Sequence, residues 1–110
     1  MFIIDNDTQT MTIIKKDTAS FDIILDNYLF TNGDTVTFTV NTDLELQEAI
    51  LQKIVTNFND DGSATVFLTT EDTNIPEGKY KYDIQVNTQD GRVDTVFGPS
   101  KFVVKGGVTY

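Results

Sequence analysis

A chain of 110 residues holds one domain, because two would each lack a core; residues 1–110 are read as a single unit with 105–110 as an exit segment. There is no Cys and no His, which excludes a disulfide framework, thiolate nucleophiles, Cys-based zinc sites and the Ser-His-Asp and Cys-His arrangements. A formal charge of −9, from 17 acids against eight bases, makes nucleic acid and anionic membrane unexpected partners, since binding phosphate needs a basic surface.

The charge is uneven along the chain. Residues 1–50 hold nine acids against Lys15 and Lys16, whereas residues 51–110 hold eight acids against six bases. The acidic half reads either as a solvated surface or as a docking face for a basic partner. The N-terminus carries Asp5 and Asp7 rather than a basic stretch, and no apolar run approaches the roughly 20 residues of a membrane span. Neither a signal peptide nor a membrane-spanning segment is expected, and synthesis in a cytoplasm is.

Val, Ile and Thr make up 37 of the 110 residues, a β-branched content that suits pleated sheet. In chain order, weak alternation marks strands at Met11–Ile14 and around Phe21, Ile23 and Leu25. Residues 33–40 alternate cleanly, with Val36, Phe38 and Val40 on one face and Thr35, Thr37 and Thr39 on the other. Residues 43–58 fit two patterns. Leu44, Leu51, Val55 and Phe58 share a helical face, while Ile50, Ile54 and Phe58 with Gln52 and Thr56 fit a bent strand. A short turn or helix at 43–47 and a strand over 49–57 are preferred, with Asp60-Asp61-Gly62 closing a hairpin onto 64–69.

Glu71-Asp72-Thr73-Asn74 reads as one helical or irregular turn. Residues 79–87 give the clearest strand, with Tyr80, Tyr82, Ile84 and Val86 facing one way and Lys79, Lys81, Asp83, Gln85 and Asn87 the other. Asp90-Gly91 then reads as a tight hairpin into 93–97, Gly98-Pro99 as a further turn, and Phe102 with Val104 as a last strand. The expected fold is therefore all-β: an immunoglobulin-like antiparallel β-sandwich of seven to eight strands with at most one short helical turn, a small barrel being the alternative.

The candidate chemical motifs are weak. Asn57-x-Asn59-x-Asp61-Gly62 starts like a calcium loop, but Leu68 stands where a bidentate Glu should close it, so a polar turn is expected. Asp5-Asn6-Asp7 reads as a solvated edge. A carboxylate pair of the kind glycosidases use needs one acid raised in an apolar cleft, and none of Glu71, Asp72 and Asp83 stands in such a setting. Tyr28, Tyr80, Tyr82 and Tyr110 with Phe2, Phe30, Phe67 and Phe97 could line a sugar-binding surface, but without Trp, and with Tyr80 and Tyr82 on an apolar face, core packing is the better account. No catalytic, metal or cofactor-binding residue is assigned, and no enzymatic activity is expected.

Several segments in order carry a likeness: Phe2-Ile3-Ile4-Asp5-Asn6-Asp7, Lys16-Asp17-Thr18-Ala19-Ser20-Phe21, Asn32-Gly33-Asp34-Thr35-Val36-Thr37-Phe38 and Ala49-Ile50-Leu51-Gln52-Lys53. They continue with Thr70-Glu71-Asp72-Thr73, Pro76-Glu77-Gly78-Lys79-Tyr80-Lys81-Tyr82-Asp83-Ile84, Asp94-Thr95-Val96 and Phe102-Val103-Val104. In their order and spacing the chain resembles small β-sandwich modules of tailed-bacteriophage virions, especially the N-terminal domain type of baseplate upper proteins. The resemblance implies a virion protein that docks into a baseplate, tail or head assembly, with other virion proteins or further copies of itself as partners, and performs no chemistry. The competing expectation is a carbohydrate or cell-surface binding sandwich, motivated by loops rich in Asp, Asn and Thr.

Overall fold

The computed structural model describes residues 2–4, 9–25, 28–41 and 50–106. The chain forms eight strands, with side-chain alternation clearest in β4 and β7: β1 (Phe2–Ile4), β2 (Met11–Ile14), β3 (Ala19–Ile23), β4 (Thr35–Asn41), β5 (Leu51–Val55), β6 (Ala64–Leu68), β7 (Gly78–Asn87) and β8 (Val93–Lys105). A six-stranded sheet runs in the order β1-β2-β8-β7-β4-β5, and β3 pairs with β6 in a second sheet of two strands. The fold is an all-β, sandwich-like arrangement of two sheets. Among the described residues β5 and β6 belong to different sheets, so the layers do not close into a barrel.

Period-two burial defines the core. Val36, Phe38 and Val40 of β4, Tyr80, Tyr82, Ile84 and Val86 of β7, and Phe102 and Val104 of β8 point inward onto Ile23, Val66 and Leu68 of the small sheet. Phe38 sits at the centre, its ring 5.3 Å from Phe21, 5.6 Å from Tyr82 and 6.0 Å from Phe102. Phe2 stacks on Phe21 at 5.8 Å, so the short strand β1, unmarked by alternation in the sequence, is held to the opposite layer by its aromatic ring.

Four sequence expectations change. Gly98-Pro99 is not a turn: the run from Val93 to Lys105 is one strand, and Gly98 and Pro99 bulge opposite Asp83 between the Tyr82–Ser100 and Ile84–Phe97 pairs. Gly98 has φ +90, and a Cβ there would run into the carbonyl oxygen of Tyr82, so only glycine fits this bulge. Asp60-Asp61-Gly62 does form a tight turn, closed by Gly62 N–H to the Asn59 carbonyl (2.9 Å), but β5 and β6 leave it for different sheets and it is a corner, not a hairpin. Leu51 is the buried residue of β5, while Ile50 and Ile54 face outward, Ile54 at 60% exposure. Lastly, β2 runs parallel to β8 in an otherwise antiparallel set, which the long intervening chain allows. The expected turn or helix at 43–47 lies outside the described residues.

The Asp90-Gly91 hairpin forms as its sequence demands. Gly91 N–H donates to the Thr88 carbonyl (3.0 Å), Thr88 N–H to the Arg92 carbonyl (2.9 Å), and Gly91 takes φ +92. Residues 69–74 make a single helical turn. The Asp72 carboxylate accepts Thr69 N–H (2.8 Å), Thr69 Oγ1 accepts Asp72 N–H (3.2 Å), and Thr73 N–H bonds the Thr69 carbonyl (3.2 Å). Thr73 is fully buried and donates its hydroxyl to the Asp17 carbonyl (2.7 Å), tying this turn to the β2–β3 connection. Thr73→Val is expected to cost about 1–2 kcal/mol in urea unfolding, because it keeps the shape and strands a buried carbonyl; a cost near zero would mean the tie is idle.

Candidate functional site

Among the concave regions lined by described residues, two carry more than one charged side chain on their rims. The first lies at the β7–β8 hairpin end of the sandwich. Asp94 is in register with the inward-facing Val86, yet its side chain is exposed. There Leu25, Tyr28, Val86, Thr88, Arg92, Asp94 and Val96 line an open depression of about 330 Å³, continuous through Tyr28, Thr88 and Arg92 with a smaller one that adds Gln89 and Asp90. Its floor is apolar, and its rim carries the only arginine of the chain, paired loosely with Asp94 at 3.4 Å.

Beside it lies a buried polar knot. Asp34, 2% exposed, accepts the Tyr28 hydroxyl (2.7 Å) and Thr31 N–H (3.0 Å) on Oδ2 and Gln89 N–H (3.0 Å) on Oδ1. The carboxylate thereby joins the segment before β4 to the tip of the β7–β8 hairpin. Burial pushes its pKa up, but the three hydrogen bonds outweigh it and hold the group below the ordinary 3.8. Tyr28 is raised, first by its bond to Asp34 and then by burial.

The other acids with displaced titrations follow the same pattern. Asp61 is lowered by the Ser63 hydroxyl and then the Ser63 amide. Asp90 is lowered first by the Thr88 hydroxyl and then by the Arg92 amide. For Asp72 burial is the largest influence and acts upward, yet the Thr69 amide and Lys53, 2.9 Å away, bring it down overall. A general acid working near neutral pH needs the reverse shift. Because folded pKa values below 3.8 stabilise the fold only where these groups are ionised, stability is expected to be full above that value and to fall as pH drops through the folded values. Thermal melting followed from about pH 7 down to about pH 2 checks the sign, and a curve that stays flat throughout contradicts it.

The residues weighed from sequence are dispersed. The calcium-like spacing is used up in its own turn: Asn59 Nδ2 donates to Ser63 Oγ and Thr65 Oγ1, both at 2.9 Å, and Asp61 Oδ1 accepts from Ser63. Among the described residues no three acids gather in a way that could hold a metal ion. Glu71, Asp72 and Asp83 do not meet in a cleft: Asp72 closes the turn with Thr69, and Asp83 lies on β7 opposite Thr39. Tyr80 and Tyr82 are buried, their hydroxyls donated to the carbonyls of Pro76 and Gln9 at 2.5 Å each. Phe30 stacks on Phe58 in the interior, while Phe67 is 54% exposed. Asp5-Asn6-Asp7 and Tyr110 lie outside the described residues.

The second concave region lies on the outer face of the large sheet, where Thr10, Lys81, Pro99, Ser100 and Lys101 surround a depression of about 350 Å³. Neither Asp34 nor this lysine pair was singled out by sequence reasoning. The signal for the first was an Asp directly after Asn32-Gly33 at the mouth of an apolar strand, and for the second the shared outward parity of two Lys-bearing strands.

Fold and geometry together define a two-layer β-sandwich module with shallow polar concavities. No protein-family model matches the chain, and no curated protein matches it. No helix among the described residues is long and apolar enough to cross a membrane.

Proposed function

We propose that the chain is a non-enzymatic structural and interaction module of a bacteriophage particle, docking through its outer surfaces into a baseplate, tail or head assembly. The virion setting comes from the ordered motif resemblance. The docking mode is supported by one observation above all: Asp34, Asp61, Asp72 and Asp90 are engaged by amides and hydroxyls of their own or neighbouring turns, and Asp72 also by Lys53, which rigidifies the loops. Co-expression with the products of flanking reading frames, followed by size-exclusion chromatography with light scattering, tests the reading. A stoichiometric complex is the expected outcome, and a chain that joins none of them counts against it.

A second reading, a carbohydrate-binding sandwich, draws on the hairpin-end depression, where the Tyr28 ring and the Arg92–Asp94 pair border an apolar floor. Glycan-array binding lost in Tyr28→Ala is its expected signature, and a silent array removes it.

A further inference from the structure

Three turns of the chain place a glycine directly after Asn or Asp, and their hydrogen bonds set them apart. Gly62 and Gly91 each donate their N–H to a carbonyl of their own turn, that of Asn59 at 2.9 Å and that of Thr88 at 3.0 Å. The carboxylates before them are held as well, Asp61 by the Ser63 amide and hydroxyl and Asp90 by the Arg92 amide. Asn32-Gly33 is different. Its turn is closed by the Asp34 N–H on the Thr31 carbonyl (3.1 Å), which leaves the Gly33 N–H unused; among the described residues no hydrogen bond holds that amide or the Asn32 side chain. Both residues are exposed.

Of the eight asparagines, Asn32 alone precedes a glycine. A following residue with a Cβ screens its own nitrogen from the side chain before it, and glycine does not. The Asn32 side-chain carbonyl carbon and the Gly33 nitrogen close a five-membered ring when joined, so the reaction is intramolecular and its ends are already neighbours. Asn59 shows the opposite arrangement. It precedes Asp60, and its side-chain amide is spent on Ser63 Oγ and Thr65 Oγ1, both at 2.9 Å.

We propose that Asn32-Gly33 is a self-modification site, at which the native chain converts itself to an isoaspartyl form and releases the β7–β8 hairpin from the Asp34 knot. The Gly33 nitrogen attacks the Asn32 side-chain carbonyl carbon and a C–N bond forms. The bond to the side-chain nitrogen breaks, and that nitrogen leaves as ammonia, taking up the Gly33 proton. Water then adds across one of the two ring C–N bonds, giving a carboxylate and a restored chain amide. Nothing is oxidised or reduced, and water is the one co-reactant. Opening on the backbone side routes the chain through the former side chain and lengthens it by one methylene.

The product forms inside the knot. Thr31 and Asp34 flank the pair and are joined by the Thr31 N–H on Asp34 Oδ2 (3.0 Å), so a longer backbone between them shifts one end of that bond. Gly33 also packs on Gln89, whose Cγ and Cδ lie 3.0 Å from where a Cβ would stand, and the Gln89 N–H is the hairpin's own link to Asp34 Oδ1 (3.0 Å). The new carboxylate stands two residues from a buried one, and like charges so placed repel.

The test is incubation of the full chain, folded, in mildly alkaline buffer, followed by peptide mapping and by methyl labelling with an isoaspartyl methyltransferase. Conversion at Asn32 is expected to run about tenfold or more faster than at Asn59 or Asn74, to quicken with pH, and to give more isoaspartate than aspartate. Asn32→Gln is expected to abolish labelling and leave melting unchanged, since the side chain is exposed and unbonded. Asn32→Asp carries the charge without the longer backbone; the converted wild type is expected to melt below it and to exchange the Thr31 and Gln89 amides faster. Conversion in urea but not in the folded chain overturns the proposal, as does a rate at Asn32 no greater than at Asn59. A converted chain with unchanged exchange at Gln89 overturns it too, because the knot would then tolerate the product.

Discussion

Phe38→Ala is expected to destabilise the protein by about 3–5 kcal/mol, the range for truncating a buried aromatic. A domain of this size is held by only about 5–15 kcal/mol, so the variant should sit close to its unfolding transition at room temperature. The ring is fully buried and touches aromatic partners from both layers: Phe21 on β3, Tyr82 on β7 and Phe102 on β8. Removing it loses transfer free energy and opens a cavity that three other rings cannot all move to fill. Urea unfolding with an unchanged slope measures the loss. Phe67→Ala, at a ring 54% exposed on the outer face of β6, is the control and should cost well under about 1 kcal/mol. Equal costs at the two positions would contradict the assignment of the core.

The second large effect is polar. Asp34→Ala is expected to cost about 2–3 kcal/mol, because Thr31 N–H, Gln89 N–H and the Tyr28 hydroxyl lose a shared acceptor in a buried setting. Tyr28→Phe removes one of the three bonds and should cost less than Asp34→Ala. The loss has a location, since Asp34 connects the segment before β4 to the hairpin tip. Hydrogen exchange should therefore quicken at the Thr31 and Gln89 amides before it quickens in β4 or β7. Uniform acceleration across the sheet, or a stability change within about 0.5 kcal/mol, would mean the knot does not hold the hairpin.

Strands with one wet face were legible because the side-chain period reports burial directly. Val36, Phe38 and Val40, and Tyr80 through Val86, alternate over enough residues to fix both the element and the inward face. Where partners come from far along the chain, the pattern is silent. The sequence marks a turn at Asn59–Ser63, but whether the strands on either side pair depends on which layer each joins, and β6 is claimed by β3, more than 40 residues earlier. Gly98-Pro99 was misread for a related reason: a Pro and a positive-φ Gly signal a turn locally, while pairing with β7 on both sides keeps the strand running through a bulge. Asp34 carries no motif, since its three donors are contributed from two separate stretches of chain. The lysine pair at Lys81 and Lys101 was half visible. Lys79 and Lys81 were assigned to the solvent side of their strand, but the register that sets Lys81 against Lys101 exists only in the folded sheet.

The same geometry gives the functional reading its physical content. A module that works by being built into something larger needs a rigid core and loops locked by their own side chains. Phe38 and the turns of Asp34 and Asp72 supply these in turn. On the edge strand β5, Lys53 is half-buried and held by Asp72, an arrangement that discourages uncontrolled strand pairing there and favours contact through faces.

The most direct test is hydrogen–deuterium exchange on the full chain, alone and in complex with whichever flanking-frame product it binds. The account predicts a stable complex, with new protection confined to the strands and turns that carry the exposed outer faces and no change around Tyr28 and Arg92. Absence of any complex, together with protection of Tyr28, Thr88 and Arg92 on adding a glycan, would contradict it.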